Sequence, residues 1–347
     1  MSNGLEFPCR SCGAKLGYKP GALALNCGYC GYTEAIPSSA EQVEEIAFAD
    51  YKPDVRGYGV ELLQYVCQQC AAQTQVEPHV TSFDCAFCAS SQVLPQKETT
   101  ALHKPESVLP FVVEQQEVLD KFRVWIKSLW FRPSELKKQA RVDGMKGVYL
   151  PFWTYDALTF SFWLAESGHY YYEKDANGKR VRKTEWRTAA GSHDEFFDDV
   201  LIQGSPSVPS HLVRALEPFE TKKLIPYKPE YLSGKAAEDY RRDMVACWPD
   251  ARARIDGAIK AACKKKIPGD THRNLKVRTS YNNRTYKLCL LPIWLASYRY
   301  MNKSYTYAVN GQTGRISGDA PFSWIKIAAF VLTLASLIGA FVYFQNA

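Results

Sequence analysis

The chain contains none of the short motifs that carry the commonest enzyme chemistries. It has no G-x4-G-K-[ST] loop, which excludes a nucleotide site of the P-loop type. It also has no H-E-x-x-H and no G-x-S-x-G, so the corresponding metalloprotease and hydrolase sites are excluded. The six histidines are dispersed. The acidic run H-D-E-F-F-D-D at 193–199 could bind a cation but is more typical of an exposed loop. We therefore expect that the protein is not an enzyme.

The chain also lacks a strong excess of charge of either sign. Its 43 basic and 36 acidic residues leave a net charge of +7 over 347 residues. Such a mild excess suits an anionic membrane surface as well as nucleic acid, so charge does not select a partner. The first eight residues have neither the basic region nor the apolar run of a secretory signal. We expect the bulk of the chain to stay in the cytoplasm, where paired cysteines more often hold metal than form disulfides.

Cysteine, in contrast, is abundant and regularly spaced. Eight of the eleven cysteines form two copies of C-x2-C-x14-C-x2-C, at a constant offset of 58 residues. A tetrahedral zinc site needs four ligands, and two C-x2-C turns about 15–20 residues apart are a common way to supply four thiolates. The sequence therefore predicts two structural Zn²⁺ ions in two four-cysteine zinc ribbons. The predicted ligands are Cys9, Cys12, Cys27 and Cys30 in the first ribbon, and Cys67, Cys70, Cys85 and Cys88 in the second.

The two ribbons differ in charge, which bears on what they bind. Nucleic-acid binding needs basic side chains interleaved with aromatic ones, and the first ribbon has Arg10, Lys15 and Lys19 among its tyrosines. The second ribbon has no Lys or Arg between Cys67 and Cys88, so it is a poor phosphate binder. The balance favours docking of a protein partner, and nucleic-acid binding at the membrane is the alternative.

An apolar run closes the sequence. No charge occurs from Ile327 to Phe344, and the run that begins at Trp324 is as long as the 20 or so residues that cross about 30 Å of hydrocarbon. Trp324 and Tyr343 occupy the positions of interfacial aromatic residues. Basic residues precede the run and an uncharged stub follows it. We therefore predict a single-pass, tail-anchored protein of the inner membrane, with the bulk of the chain on the cytoplasmic side.

The residues between the cysteines and the apolar run indicate an α+β body. The aromatic share of 13% favours strands. Helical spacing recurs at 114–129 and at 235–266, and the second of these helices is expected to be broken or kinked near Pro249. Residues 170–187 read as a hairpin that turns at Asn177-Gly178. L-P-F-W at 150–153 returns as L-P-I-W at 291–294, which suggests a duplicated β-unit. The predicted segments are a zinc ribbon at 1–36, a connector at 37–64, a zinc ribbon at 65–91, a linker at 92–107, the α+β body at 108–320 and a transmembrane helix at 324–344.

Taken together, these motifs resemble a bacterial family. The likeness rests on the two four-cysteine units, the segments 147–157, 291–300 and 309–314, and the closing apolar run. Members are membrane-anchored proteins with tandem transcription-factor-B-type zinc ribbons, which accompany SPFH-domain and phage-shock-type membrane stress proteins. They are often labelled primosomal helicases, an activity that the missing nucleotide loop excludes here. The resemblance implies an adaptor or scaffold that recruits SPFH-type partners to the membrane, with the eight cysteines as zinc ligands.

Overall fold

The computed structural model describes residues 7–37, 43–52, 63–67, 72–76, 85, 87, 93–96, 105–134, 145–300 and 303–346. Within these ranges the chain is an α+β protein rich in sheet, as the sequence predicts. Short 3-10 helices occur at Phe48–Asp50, Thr221–Lys223 and Pro229–Leu232. The described α-helices are α1 Gln115–Ser128, α2 Ser210–Leu216, α3 Met244–Lys266 and α4 Trp324–Asn346.

The described strands form two sheets. The small sheet has the order β1-β2-β3, with β1 Leu16–Lys19, β2 Ala24–Cys27 and β3 Thr33–Ala35. The thirteen described strands of the large sheet are β4 Ile46–Ala47, β5 Leu63–Cys67, β6 Gln73–Val76, β7 Val93–Gln96, β8 Ser107–Val108, β9 Lys146–Lys174, β10 Arg180–Phe197, β11 Ile202–Gln203, β12 Ile225–Pro226, β13 Ala236–Glu238, β14 Thr271–Tyr300, β15 Lys303–Asn310 and β16 Ile316–Gly318.

Two very long strands form the spine of the large sheet. β9 has 29 residues and β14 has 30, whereas strands in globular proteins usually have about 3–10. The two pair in antiparallel fashion over 146–168 and 271–295, with two bulges in β14. Asn274 and Asn283 lie in these bulges with left-handed φ of 55° and 47°, a conformation that a short polar side chain tolerates. Because bulges bend a strand and increase its twist, the spine is twisted rather than flat.

The two L-P-x-W segments meet at their leucines in the spine. Leu150 pairs with Leu291, and from this pair the two segments continue in opposite directions. Trp153 and Trp294 are buried, and their indole N–H groups donate to backbone carbonyls at 2.9 and 3.2 Å. The order of helix, long strand and antiparallel partner strand occurs as α1, β9 and β10 and again as α3, β14 and β15. A duplicated unit would produce this order.

Helix α1 covers the end of the spine at which β14 meets β15. Val118, Phe122 and Ile126 are spaced by four residues and form its buried stripe. The ring of Phe122 lies 4.8 Å from the ring of Tyr307 on β15, in an edge-to-face contact. The helix therefore joins the same buried cluster as Trp294.

Helix α3 begins later than its sequence pattern suggests. The spacing predicts a helix over 235–266 that is broken or kinked near Pro249. The observed helix starts at residue 244 and continues through Pro249 without a break. Asp243 caps the first turn, because its carboxylate accepts the amide N–H of Ala246 at 2.7 Å. Near the start of the predicted helix, residues 236–238 instead form β13, which pairs with both β9 and β6. Sheet pairing thus overrides helical spacing in this stretch.

Beyond the centre of the sheet, β9 and β10 continue as a hairpin over 157–174 and 180–197. Gly178 has a φ of 77° in the connecting turn, so the hairpin predicted at Asn177-Gly178 is confirmed. Trp163 on β9 is buried against α3, in one cluster with Ile259. Helix α3 thus covers one face of the hairpin.

The C-terminal helix α4 leaves the body beside the end of α1. The amide of Ser323 donates to the carbonyl of Phe131 at 2.8 Å, and the rings of Phe131 and Phe330 lie 5.4 Å apart. Lys326 Nζ donates to the carbonyl of Arg132, also at 2.8 Å. The candidate span has 22 residues, and its most apolar 18 residues have a mean hydropathy of 2.3 and are not buried against the described part of the protein. The helix is therefore long and apolar enough to span a membrane.

Candidate metal centre

The four cysteines of the first predicted ribbon converge beside the small sheet. Cys9 and Cys12 lie in the turn before β1, Cys27 ends β2, and Cys30 lies in the turn between β2 and β3. The Sγ atoms of Cys9 and Cys30 are 3.5 Å apart, and those of Cys12 and Cys27 are 3.6 Å apart. All four sulfurs lie within 4.8 Å of one another. The cluster could therefore hold a metal ion.

The spacing of the sulfurs fits a tetrahedral zinc ion. With Zn–S bonds of about 2.3 Å, a regular tetrahedron places its sulfurs about 3.8 Å apart, close to the 3.5 and 3.6 Å measured between the two sulfur pairs. A disulfide would need a separation of about 2.05 Å. Four sulfur donors fill the coordination sphere and leave no position for water, as in a structural site rather than a catalytic one.

Tight turns position the sulfurs. The amide of Ser11 donates to the sulfur of Cys9 at 3.4 Å. Gly13 and Gly31, each directly after a C-x2-C pair, have left-handed φ of 76° and 77°, which glycine adopts without steric cost. Each glycine amide donates to the carbonyl of the first cysteine of its pair, at 2.8 and 3.0 Å. The pattern C-x2-C-G therefore encodes a turn whose backbone amides can point at sulfur.

The four thiols also influence one another's pKa values through electrostatic interactions and hydrogen bonds. A hydrogen bond from the amide of Tyr32, and then the neighbouring thiol of Cys12, lower the pKa of Cys30 to about 6. The amide of Ala14 lowers the pKa of Cys12, but the neighbouring thiols, Cys30 first, and burial together raise it to about 12. One thiolate thus forms readily and makes ionisation of its neighbours costly. A bound dication removes this conflict, because it stabilises all four thiolates at once.

The small sheet packs directly on the body. Leu16, Tyr18 and Leu25 belong to one buried cluster with Tyr231. The amide of Tyr18 donates to the carbonyl of Ser233 at 3.0 Å, and the hydroxyl of Ser233 donates to the carbonyl of Leu16 at 2.6 Å. A three-stranded sheet has too few residues to cover its own apolar face. The body supplies that cover.

The second quartet is only partly described. Cys67 and Cys85 are buried in the same cluster. Cys70 and Cys88 lie outside the described residues. The second metal site therefore stays a prediction, and so does the number of ions.

The described part of this second unit repeats a backbone contact of the first. The amide of Cys9 donates to the carbonyl of Ala14 at 2.7 Å, and the amide of Cys67 donates to the carbonyl of Ala72 at 2.9 Å. The two residues of the second contact thus lie 58 positions after their counterparts in the first contact, the same offset as between the cysteines. Strand β6 also pairs with β13, which pairs with β9. The described strands of the second unit are therefore part of the large sheet, and the segment boundaries predicted from sequence stay predictions.

A group of acidic side chains meets beside β9 and β14. Lys287 is buried among them, with its Nζ 2.7 Å from a carboxylate oxygen of Asp199 and 3.1 Å from one of Glu45. The lysine supplies the positive charge that these carboxylates need, so the group is an ion-pair network. The four carboxylates, whose oxygens approach within 4.8 Å of one another, belong to Glu45, Asp156, Asp198 and Asp199.

Sequence patterns reveal only half of this network. The sequence groups the acidic residues at 193–199 with His193. The ring of His193, however, lies 2.8 Å from the carboxylate of Glu195 on its own strand, and the residues of this run that join the network are Asp198 and Asp199. The other two members are Asp156 on β9 and Glu45 beside β4. No local spacing marks these two residues, because only the pairing of β9 and β4 with β14 brings them together.

Replacing Asp156 should stabilise the protein at alkaline pH. Burial, and then the contact with Glu45, raise the pKa of Asp156 to about 7. The folded chain thus keeps a proton that the unfolded chain loses above about pH 4, so stability falls as the pH rises from about 4 to 7. Asp156→Asn retains the acceptor for the amide of Asp199. We expect Tm to rise by about 2–4 °C at pH 8, roughly 1 kcal/mol, and by less at pH 5.

The measurement is thermal unfolding of the detergent-solubilised protein at both pH values. Asp198→Asn is the matched control, because it removes an exposed carboxylate of the same network. An equal gain for Asp156→Asn at pH 5 and pH 8 would contradict a raised pKa as the cause.

Comparison with known proteins finds a similarity over nearly the whole chain. The uncharacterized protein YdjG of Bacillus subtilis (strain 168) is 27% identical over 344 residues, which cover 95% of this chain and 94% of that protein. No protein-family model and no solved structure matches the chain.

Proposed function

We propose that this protein is a membrane-anchored zinc-ribbon adaptor that recruits a cytoplasmic protein partner to the membrane. The observation that carries the proposal is the combination, in one chain, of a four-thiol cluster with a helix apolar enough to cross a bilayer. A structural metal makes a small loop-rich unit rigid, so that it presents a defined surface. The anchor confines that surface to the membrane. No catalytic step is required, and the absence of enzymatic activity stays a prediction.

Two structural Zn²⁺ ions are part of the proposal. Thiolate ligands select zinc over the harder magnesium and calcium ions, and the sulfur spacing in the first cluster supports a tetrahedral site. The repeated cysteine pattern supports a second ion held by Cys67, Cys70, Cys85 and Cys88. The matching amide contacts of Cys9 and Cys67 support it further.

The anchor is proposed to be a single span in the inner membrane, with the bulk of the chain in the cytoplasm. Support comes from the basic residues that precede the span, among them Arg315 and Lys326, because positive residues favour the cytoplasmic side. Trp324 at the start and Tyr343 near the end of α4 suit the two interfaces.

The exposed part of the first ribbon favours a protein partner over nucleic acid. Tyr29 is 87% exposed in the turn between the second pair of cysteines, and a tyrosine presented on a rigid turn is a typical anchor for a protein contact. Arg10 is paired with Glu34 at 2.7 Å, which weakens its availability for phosphate. Tyr18 is buried, so it is not free to stack on a base. The family resemblance suggests an SPFH-domain protein as the partner, in a response to envelope stress.

The adaptor function predicts that Tyr29→Glu releases the partner without loss of metal. SPFH-domain proteins should co-purify with the full-length chain from crosslinked native membranes. We expect Tyr29→Glu to lower their recovery at least about tenfold, which corresponds to about 1.4 kcal/mol of binding free energy. The recovery is measured by quantitative mass spectrometry, and the zinc content of the same samples is measured by elemental analysis.

Tyr171→Glu is the matched control, because it charges another exposed tyrosine, near the tip of the β9–β10 hairpin. Unchanged recovery with Tyr29→Glu would show that this ribbon does not dock the partner. Recovery of nucleic acid that falls steeply with salt would instead support the alternative function.

A further inference from the structure

One face of the β9–β10 hairpin carries large apolar side chains that no other part of the described chain covers. Alternate side chains of a strand point to opposite faces. Trp163 faces α3, whereas its neighbours Phe162 and Leu164 on β9 are 73% and 50% exposed. Phe196 on β10 shares the exposed face, because it pairs with residue 158 and is itself 58% exposed. We call this surface the open face; its apolar members are Phe160, Phe162, Leu164 and Phe196.

Opposite charges flank the open face. Arg278 of β14 pairs with Phe162, and Lys276 pairs with Leu164, so both cations lie on the β14 side. Asp194 of β10 pairs with Phe160, on the other side of β9. Among the described residues, these three charged side chains form no ion pair within the chain. The open face is therefore apolar along β9, basic at Lys276 and Arg278 of β14 and acidic at Asp194 of β10.

We propose that the open face is the interface between two copies of this chain, packed face to face about a twofold axis parallel to β9. This operation lays β14 of one copy over β10 of the other. Each Arg278 then lies close to Asp194 of the partner subunit. The two side chains are offset by about two residues along the strand direction, because Arg278 is level with Phe162 and Asp194 with Phe160. The apolar side chains of both copies are buried in the centre, as in the packing of two aligned sheets.

The charges also exclude the other twofold arrangement. An axis in the plane of the interface but perpendicular to β9 would lay β14 over β14. Lys276 and Arg278 of both copies would then face each other, and like charges across an interface are repulsive. The pattern is thus self-complementary about only one of the two axes.

The membrane anchor selects the same axis, and this step rests on the function proposed above. Two copies anchored in one bilayer from the same side must be related by an axis along the membrane normal. Helix α4 follows β16, which pairs with β15, which in turn pairs with β14 near the start of β9. The open face lies 14–18 residues further along β9, which is about 45–60 Å of strand. β9 therefore leads away from the anchored end, and an axis parallel to it points toward the bilayer.

The size of the open face suits association within a membrane. Three strands about 4.8 Å apart and about nine residues long give an area of a few hundred Å², less than the roughly 800 Å² per partner of a standard stable interface. Confinement of both copies to one bilayer raises their effective concentration and compensates for a small contact. We expect dimers in membranes that dissociate on dilution in detergent.

A photo-crosslinker tests the interface in the full-length chain. Phe162 lies on β9, next to the proposed axis, so its nearest partner is the same region of the second copy. With p-benzoylphenylalanine at position 162, irradiation of native membranes should give an adduct of twice the monomer mass. The same group at Val124, which is 71% exposed on α1, should give none. An adduct to a different protein, or none at all, would overturn the proposal.

Charge exchange between copies distinguishes self-association from any other partner. Arg278→Asp alone, or Asp194→Arg alone, places like charges together twice and should lower the crosslinking yield at least about tenfold. Co-expression of the two single variants with different tags should restore a mixed dimer, because each copy then supplies the complement of the other. The interface would be contradicted if either single variant left the crosslinking yield unchanged. It would also be contradicted if co-expression of the two variants failed to restore the yield.

Carbonate extraction of the same samples separates this inference from the proposed anchor. A chain that stays in the membrane but gives no adduct contradicts the dimer alone. A chain that gives the adduct but is extracted contradicts the anchor alone.

Discussion

Removal of the metal ion proposed for the four-thiol cluster is expected to unfold residues 7–37 and to leave the spine of the body folded. The four thiols join both turns of the ribbon at one point. In small zinc modules, metal binding contributes about 10–16 kcal/mol at neutral pH and supplies most of the folding free energy. Chelation, or Cys27→Ser, should therefore raise amide hydrogen exchange over residues 7–37 by several orders of magnitude. The amides of β9 and β14, which pair with each other over most of their length, should keep their protection from hydrogen exchange.

The ribbon's contact with the body predicts a further, smaller effect. Leu16, Tyr18 and Leu25 leave a shared cluster when the ribbon unfolds, so the body should lose a few kcal/mol of stability through exposed apolar surface. Cys263→Ser is the matched control, because Cys263 is a buried cysteine of α3, remote from the metal cluster. The structural-metal assignment would be wrong if the metal-free chain kept native protection over residues 7–37.

Charging the C-terminal helix is expected to release the protein from the membrane. Each arginine at the centre of a span costs about 2.5–3.5 kcal/mol on insertion scales, so Leu334→Arg with Ile338→Arg costs roughly 5–7 kcal/mol. The carbonate-resistant fraction should fall from nearly all of the protein to a small part. The body should remain folded, because the described contacts of α4 with it, such as the ring contact of Phe330, lie in the first turns of the helix.

Leu334→Ala with Ile338→Ala is the matched control for this substitution, because it shortens the same side chains and adds no charge. The double alanine variant should stay resistant to carbonate. If the double arginine variant resisted extraction as well, α4 would not be the anchor.

Several local features could be predicted because their causes are local. Asn177-Gly178 specifies a tight turn that suits a two-stranded ribbon, and the hairpin is present. The run from Ile327 to Phe344 is apolar all round, so it forms a helix without any contact to guide it. The spacing of Cys9, Cys12, Cys27 and Cys30 predicts a cluster, and their sulfurs converge.

Other features depend on which strands become neighbours. The ion-pair network around Lys287 joins β4, β9 and β14, which lie far apart in the sequence. The spacing of apolar residues over 235–266 indicates a helix. Residues 236–238, however, form strand β13, because they pair with β9 and β6. The resemblance to SPFH-associated proteins, the second metal site and the duplicated unit stay predictions.

The sequence by itself determined the metal-type cysteine cluster, the α+β composition and a helix apolar enough for a membrane. Each of these follows from composition or from a short pattern in the sequence, without knowledge of which strands become neighbours. Only the tertiary structure decided that the small sheet packs on the body. It also decided that one face of the β9–β10 hairpin lies under α3, while the other is exposed in the described part of the chain. A strand's alternation shows that it has two faces. Which face is covered depends on where a distant helix packs.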